Sequence, residues 1–115
     1  MPIAESTDLK ARTKQFALRV MNTIPRTIQG RAIAKQIIRS ATSVAANYRA
    51  ACRARSRAEF IAKIGVIEKE ADESCFWLEL IIDSGLLTEE RIRPLLGEAG
   101  ELVAIMAAAR KSAMS

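Results

Sequence analysis

The chain has 115 residues, enough for one domain with a modest core, and half of them are hydrophobic. Charged residues make up 27% of the chain, which is near the usual level for folded proteins and argues against a disordered polypeptide. Only five residues are aromatic while Ala, Ile and Leu are abundant, and this mixture favours helices over sheets. We expect neither a secretion signal nor a membrane span, because the sequence has no basic-then-apolar start and no long apolar run.

Positive charge is concentrated in the first half of the chain. The segment between Leu9 and Ala58 holds no Asp or Glu, so the formal net charge of +5 hides a strong asymmetry along the sequence. The basic residues of this segment are Lys10, Arg12, Lys14, Arg19, Arg26, Arg31, Lys35, Arg39, Arg49, Arg53, Arg55 and Arg57. Two interpretations follow: the segment meets an anionic partner such as nucleic acid, or it meets the acidic remainder of the chain, within one molecule or between copies.

Two helices are predicted before residue 55. Residues 6–8 (Ser-Thr-Asp) are good N-cap residues and predict a first helix that ends near Thr23. The stretch 25–30 starts with Pro and ends with Gly, which predicts a turn. A second helix then runs to about Cys52 or Ala54.

A third helix is predicted from Ser56 to Asp83. Ser56 and Glu59 have the spacing of a capping box, in which each residue satisfies a backbone N–H group at the helix start. Inward positions then step by three and four residues, the heptad pattern of helix bundles. These seam positions are Phe60, Ile64, Ile67, Ala71, Ser74, Leu78 and Ile81.

The end of the chain predicts a fourth helix. Gly85 is suited to end the third helix and Thr88 to cap the fourth, within which Pro94 predicts a bend or a short first turn. Short connections make consecutive helices antiparallel neighbours. The predicted fold is therefore all-α, a single domain over residues 1–115 with the architecture of an antiparallel up-down four-helix bundle.

A basic stripe is predicted on the second helix. Five of its cations fall within an arc of about 80° on a helical wheel, about 130° from the centre of the apolar face, and two more follow in the next turn. The candidate nucleic-acid-binding residues are Arg31, Lys35, Arg39, Arg49, Arg53, Arg55 and Arg57. Guanidinium groups suit phosphate, but a charged helix face is often only solvated, or paired with acids of the third helix.

Signals of enzymatic chemistry are weak. The chain has no histidine, which removes the usual general base and a common metal ligand, and it has no glycine-rich phosphate loop. The acids of the third helix lie outside its seam, so we expect no metal site, no cofactor and no catalytic residue. Cys52 and Cys75 lie within helical patterns without paired spacing, which predicts reduced thiols and a cytoplasmic protein.

The end of the third helix is apolar on nearly all sides. Phe76 and Leu80 point away from the seam, and Trp77 lies between them in sequence. A small bundle with such a face is expected to use it as an interface between subunits, and the alternative is a locally wide core under the following turn.

Motifs at the junction of the second and third helices resemble a known family. Residues 36–49 (QIIRSATSVAANYR) are similar to the Q-x-x-R-S/A-A-x-S-x-x-x-N stretch of the 23S rRNA intervening-sequence proteins. Residues 53–60 (RARSRAEF) resemble that family's R-x-x-S-x-x-E-F segment. Similarity extends to residues 12–17 and to the turn at 86–88. Many members continue with Ile-Ala-Glu-Gly after the Asn, where residues 48–52 here read Tyr-Arg-Ala-Ala-Cys.

The resemblance implies an antiparallel four-helix bundle that assembles into a ring, typically a homopentamer. A similar fold occurs in the accessory variability protein of diversity-generating retroelements, a basic pentameric barrel that binds nucleic acid and a reverse transcriptase. Together, sequence and resemblance predict a non-enzymatic homo-oligomer that binds RNA or DNA through backbone phosphates, with an unidentified protein as a further partner and no membrane association. The alternative is a protein-interaction scaffold whose charge asymmetry organises its assembly without nucleic acid.

Overall fold

The computed structural model describes residues 3–25, 27 and 29–115, with side chains from Asp8 onward. Within this range the chain forms helices and no strand. The helices are α1 (Ile3–Thr23), α2 (Arg31–Cys52), α3 (Arg57–Asp83) and α4 (Glu89–Met114).

The four helices pack as an elongated bundle of 43 × 21 × 19 Å. Each helix lies beside the next one along the chain and α4 lies beside α1, whereas in the described residues no Cα atoms of the diagonal pairs α1–α3 and α2–α4 come within 8 Å. Arg57 at the start of α3 meets the end of α4, as antiparallel neighbours must. The predicted four-helix architecture is confirmed.

Helix boundaries agree with the sequence except at the start of α1. That helix already begins at Ile3, so the predicted start at residues 6–8 is wrong, and the side chains of Ser6 and Thr7 lie outside the described residues. Ala4 and Glu5 are strong helix formers, which is consistent with the earlier start. Helix α4 continues through Pro94 as one helix, so the short separate first turn does not form.

The capping box at the start of α3 is confirmed, with one difference. Ser56 Oγ accepts a hydrogen bond from the Glu59 N–H at 3.0 Å. The Glu59 carboxylate accepts from the N–H of Arg55, not Ser56, at 3.1 Å. At the other end Gly85 takes a positive φ of 76°, which glycine adopts without strain, and its N–H donates to Ile82 O.

The seam of α3 faces the core as predicted. Phe60 is half-buried and the other six seam residues are buried. Fully burying one such Ile or Leu side chain stabilises the fold by about 1.5–3 kcal/mol. Between α2 and α3 the seam contains a polar contact, in which Ser74 Oγ lies 2.9 Å from Ser40 Oγ and both side chains are buried. This contact fixes the relative height of the two helices.

Candidate nucleic-acid interface

The predicted basic stripe lies on the surface of α2 and of the turn that follows it. All seven candidate residues are exposed, but their surroundings differ. Two of them, Arg39 and Arg57, are held by other groups of the same chain. The other five form no ion pair or side-chain hydrogen bond within the described part of the chain: Arg31, Lys35, Arg49, Arg53 and Arg55.

Arg39 lies at the edge of the stripe that faces α3, and its guanidinium is bound there. Nη1 donates to Glu70 Oε2 at 3.0 Å, Nη2 donates to Glu73, and Nε donates to Gln36 Oε1 at 3.1 Å. Burial lowers the pKa of Arg39, but its hydrogen bonds to Glu73 and Glu70 outweigh that effect and raise the pKa overall. This cation joins α2 to α3, and the two carboxylates already balance its charge, which makes it a poor candidate for binding phosphate.

Arg57, at the start of α3, is also bound by groups of the same chain. Its Nε and Nη2 groups donate to the backbone oxygens of Ala113 and Ser115. Carbonyls of the last helical turn lack partners within the helix and carry partial negative charge, so a guanidinium is well placed there. Arg57 therefore fastens the end of α4 to the start of α3.

A groove between α1 and α2 contains two cations of α1 that are not among the seven candidate residues. Lys10 and Lys14 of α1 and Arg49 of α2 line it, all three are exposed, and none forms an ion pair among the described residues. The other lining residues are small: Ala11, Ala17, Thr42, Ala45 and Ala46. The i, i+4 spacing of Lys10 and Lys14 was a usable signal, because it places both side chains on one face of a helix.

Several unpaired cations lie together at one end of the bundle. Arg53 follows Arg49 by one helical turn, and Arg55 lies in the turn after α2. Together with the groove cations they define the cationic end: Lys10, Lys14, Arg49, Arg53 and Arg55. Lys35 is about 21 Å away from Arg49 along α2, at 1.5 Å per residue, and Arg31 is one turn beyond it.

Another cation of the acid-free segment is paired with the acidic half of the chain. Arg12 binds Glu98 of α4 through two hydrogen bonds of 2.7 Å, and it reaches Glu101 at 3.1 Å. The hydrogen bond to Glu98 raises the pKa of Arg12 above its usual range. Arg26 lies outside the described residues.

The predicted subunit interface is only partly turned outward. Phe76 is 54% exposed, Leu80 is half-buried, and Trp77 packs edge-on against Phe76 with 5.0 Å between ring centroids. The Trp77 indole N–H donates to Glu73 at 3.3 Å, and Glu73 also binds Arg39 of α2, so Trp77 lies on the side of α3 that faces α2. Phe76 is the most exposed apolar group of the three.

Other chemical groups were also located. No set of three or more Cys, Asp or Glu in the described residues is arranged to hold a metal ion. Cys52 and Cys75 are free thiols, and burial raises the pKa of Cys75, with a further contribution from the charges of Asp72 and Glu79. None of the described helices combines the length and the apolar character needed to cross a membrane.

Comparison with known proteins places the chain in a family. No curated protein matches the sequence. A crystal structure of a protein of unknown function from the S23 ribosomal protein family of Bacteroides thetaiotaomicron is similar, with a TM-score of 0.84 and 34% identity over 90% of this chain and 98% of that one. The model of the 23S rRNA-intervening sequence protein family matches residues 5–108. The chain belongs to the 23S rRNA-intervening sequence protein family.

Proposed function

We propose that this protein is a non-enzymatic, cytoplasmic homo-oligomer that binds RNA or DNA through backbone phosphates. The observation that carries the proposal is the cationic end, where the side chains of five exposed cations from α1, α2 and the following turn form no ion pair in the described residues. Cations left unpaired at a surface attract the phosphate backbone and release its counterions on binding. RNA is the first ligand to test, because the family's name refers to 23S rRNA.

Phosphate contacts, not base contacts, are the recognition mode that this surface supports. Stacking of single-stranded bases needs exposed aromatic rings, yet Tyr48 is buried, and Phe76 and Trp77 lie on α3. Lys and Arg bind phosphate oxygens without reading the base sequence. Binding is therefore expected to depend steeply on salt and only weakly on sequence.

The proposed oligomer is a ring, with five subunits by family resemblance, and it would multiply this attraction. Each subunit of a symmetric ring repeats the same cationic end, so one nucleic-acid chain can contact several copies. The exposed Phe76, packed against Trp77, supports self-association, because aromatic side chains are enriched at subunit interfaces.

The proposal is tested by titrating fluorescently labelled RNA and DNA of several sequences, single-stranded and duplex, at 50 and 200 mM salt. Light scattering on the same samples gives the subunit number. We expect binding at 50 mM that weakens by at least tenfold at 200 mM and differs little between sequences. Absence of salt-sensitive binding to any of these ligands at 50 mM would refute the nucleic-acid function.

The second candidate function is a scaffold for protein–protein interaction. Arg12 and Arg39 favour it, because both bind acids of the same chain and show that part of the charge asymmetry serves packing. In that case neutralising the cationic end would change the assembly of the protein and not its affinity for nucleic acid. The two functions are thus separated by measuring mass and nucleic-acid binding on the same variants.

A further inference from the structure

Large apolar side chains are exposed on two separate sides of the bundle. On α1, Leu18 and Met21 are 42% and 47% exposed, and on α3 Phe76 is 54% exposed. Helices α1 and α3 occupy diagonal corners, and within the described residues no Cα atom of one lies within 8 Å of a Cα atom of the other. The two patches therefore cannot cover one another within a single chain.

The two patches lie at the same height along the bundle. The buried contact of Ser40 with Ser74 aligns α2 with α3, and antiparallel counting from it places Phe76 level with Ile38. The groove between α1 and α2 has residues 10 and 17 on one wall and residues 49 and 42 on the other, so 10 lies level with 49 and 17 with 42. Antiparallel counting from either pair places Met21 level with Ile38. Met21 and Phe76 thus share one level, within about one helical turn of 5.4 Å.

Charges flank these patches with opposite signs. On α3, Glu79 and Asp83 follow Phe76 on the outward face and form no ion pair in the described residues. On α2, Lys35 and Arg31 are also exposed and unpaired. Antiparallel counting from Ser40 and Ser74 puts Glu79 level with Lys35 and Asp83 level with Arg31.

We infer that Phe76 of one copy docks on Leu18 and Met21 of the next, with Glu79 facing Lys35 and Asp83 facing Arg31. This inference rests on the proposed oligomer and names its two surfaces. A rotation about an axis parallel to the bundle keeps every residue at its height, so equal heights are what a ring requires. Since the donor and acceptor surfaces are different patches, the contact is head-to-tail and closes into a ring when the rotation permits.

A second copy fits the acceptor patch better than nucleic acid does. Leu18 and Met21 offer no hydrogen-bond donors to a phosphate backbone, whereas an aromatic ring buries them. Docking would also place Arg31 and Lys35 against the neighbouring subunit.

Charge exchange between the two surfaces tests the docking. The donor variant carries Glu79→Lys and Asp83→Lys, the acceptor variant carries Arg31→Glu and Lys35→Glu, and a third chain carries all four changes. By light scattering we expect each two-residue variant to fall to the monomer mass of 12.6 kDa and the four-residue chain to regain the wild-type mass. Circular dichroism checks that helical content is kept, and Lys111→Glu, an exposed position on α4 away from both patches, is the control that should leave the mass unchanged.

Cysteine cross-linking provides a second measurement that does not depend on dissociation. In a Cys52→Ser, Cys75→Ser background, Met21→Cys with Phe76→Cys should give a ladder of disulfide-linked chains on mild oxidation. The control pair, Met21→Cys with Val66→Cys, should give no disulfide-linked chains, because Val66 lies ten residues before Phe76 on α3.

The outcomes separate the inference from the proposed function. A monomeric wild type would overturn both the oligomer and the docking. An oligomer that survives both charge reversals, or that the four-residue chain fails to restore, would overturn the docking alone. An acceptor variant that keeps its mass but loses RNA binding would assign this patch to nucleic acid instead and would also overturn the docking.

Discussion

Arg39 Nη1 lies 3.0 Å from Glu70 Oε2, and this ion pair joins the basic stripe of α2 to α3. The same guanidinium also binds Glu73, which accepts the indole N–H of Trp77. The position of a cation on a helical wheel therefore does not show whether its side chain is free to bind a partner. The stripe is divided into cations that hold the bundle together and cations that remain free.

Arg39→Gln and Arg53→Gln should separate these two roles. Arg39→Gln is expected to lower the free energy of unfolding by about 1 kcal/mol, because it breaks a partly exposed network, and to leave RNA affinity nearly unchanged. Arg53→Gln should leave stability within about 0.5 kcal/mol and reduce the slope of log affinity against log salt by about 1. Urea unfolding and RNA titration of both variants check these expectations. If only Arg39→Gln weakened RNA binding, Arg39 and not Arg53 would be the RNA-binding residue of the two.

Arg12 and Glu98 should show a favourable coupling energy. They join α1 to α4 through two hydrogen bonds of 2.7 Å, and Glu98 is largely shielded from solvent. A double-mutant cycle with Arg12→Ala and Glu98→Ala is expected to give about 1 kcal/mol, the upper end of the range for exposed pairs, because the contact is bidentate. A coupling energy of zero by urea unfolding would mean that packing alone holds α1 against α4.

Ile67→Ala should be strongly destabilising. Ile67 is fully buried in the seam of α3, and removing its methyl and methylene groups leaves a cavity that costs about 2–5 kcal/mol. Lys69→Ala on the exposed side of the same helix should change stability by no more than about 0.5 kcal/mol. Equal melting temperatures for the two variants would contradict the assigned orientation of α3.

Cys75 should react slowly with thiol reagents at pH 8. Burial and the negative charges of Asp72 and Glu79 raise its pKa, so the thiolate, the reactive form, is scarcer than in free cysteine at the same pH. With Cys52→Ser as background, the rate of iodoacetamide alkylation should be below that of free cysteine and should rise as the pH approaches the raised pKa. Asp72→Asn should speed the reaction at pH 8, and a rate equal to that of free cysteine before this change would contradict the pKa shift.

Much of the fold could be predicted from local sequence. The capping residues Ser56 and Glu59, the seam of α3 and the glycine at position 85 each express a short-range rule, and the structure follows them. The start of α1 could not be predicted in the same way, because the cap-forming residues at positions 6–8 compete with helix formers just before them.

The candidate site depended on contacts between helices, which local patterns do not encode. Whether Arg39 is free is decided by Glu70 and Glu73, more than thirty residues later in the chain. Lys10 and Lys14 become part of the candidate site only because α1 packs beside α2 and places them near Arg49. A wheel drawn for one helix at a time therefore included a paired cation and omitted two free ones.

The salt dependence of RNA binding by a variant of the groove tests the central claim most directly. The variant replaces Lys10, Lys14 and Arg49 by Gln, and its control replaces Lys63, Lys69 and Lys111 by Gln, which removes the same charge from α3 and α4. The slope of log affinity against log salt should become shallower by about 2–3 in the groove variant, at 0.7–0.9 per lost phosphate contact, and should stay at the wild-type value in the control. Equal slopes for the two variants would contradict the assignment of the cationic end as the nucleic-acid-binding surface.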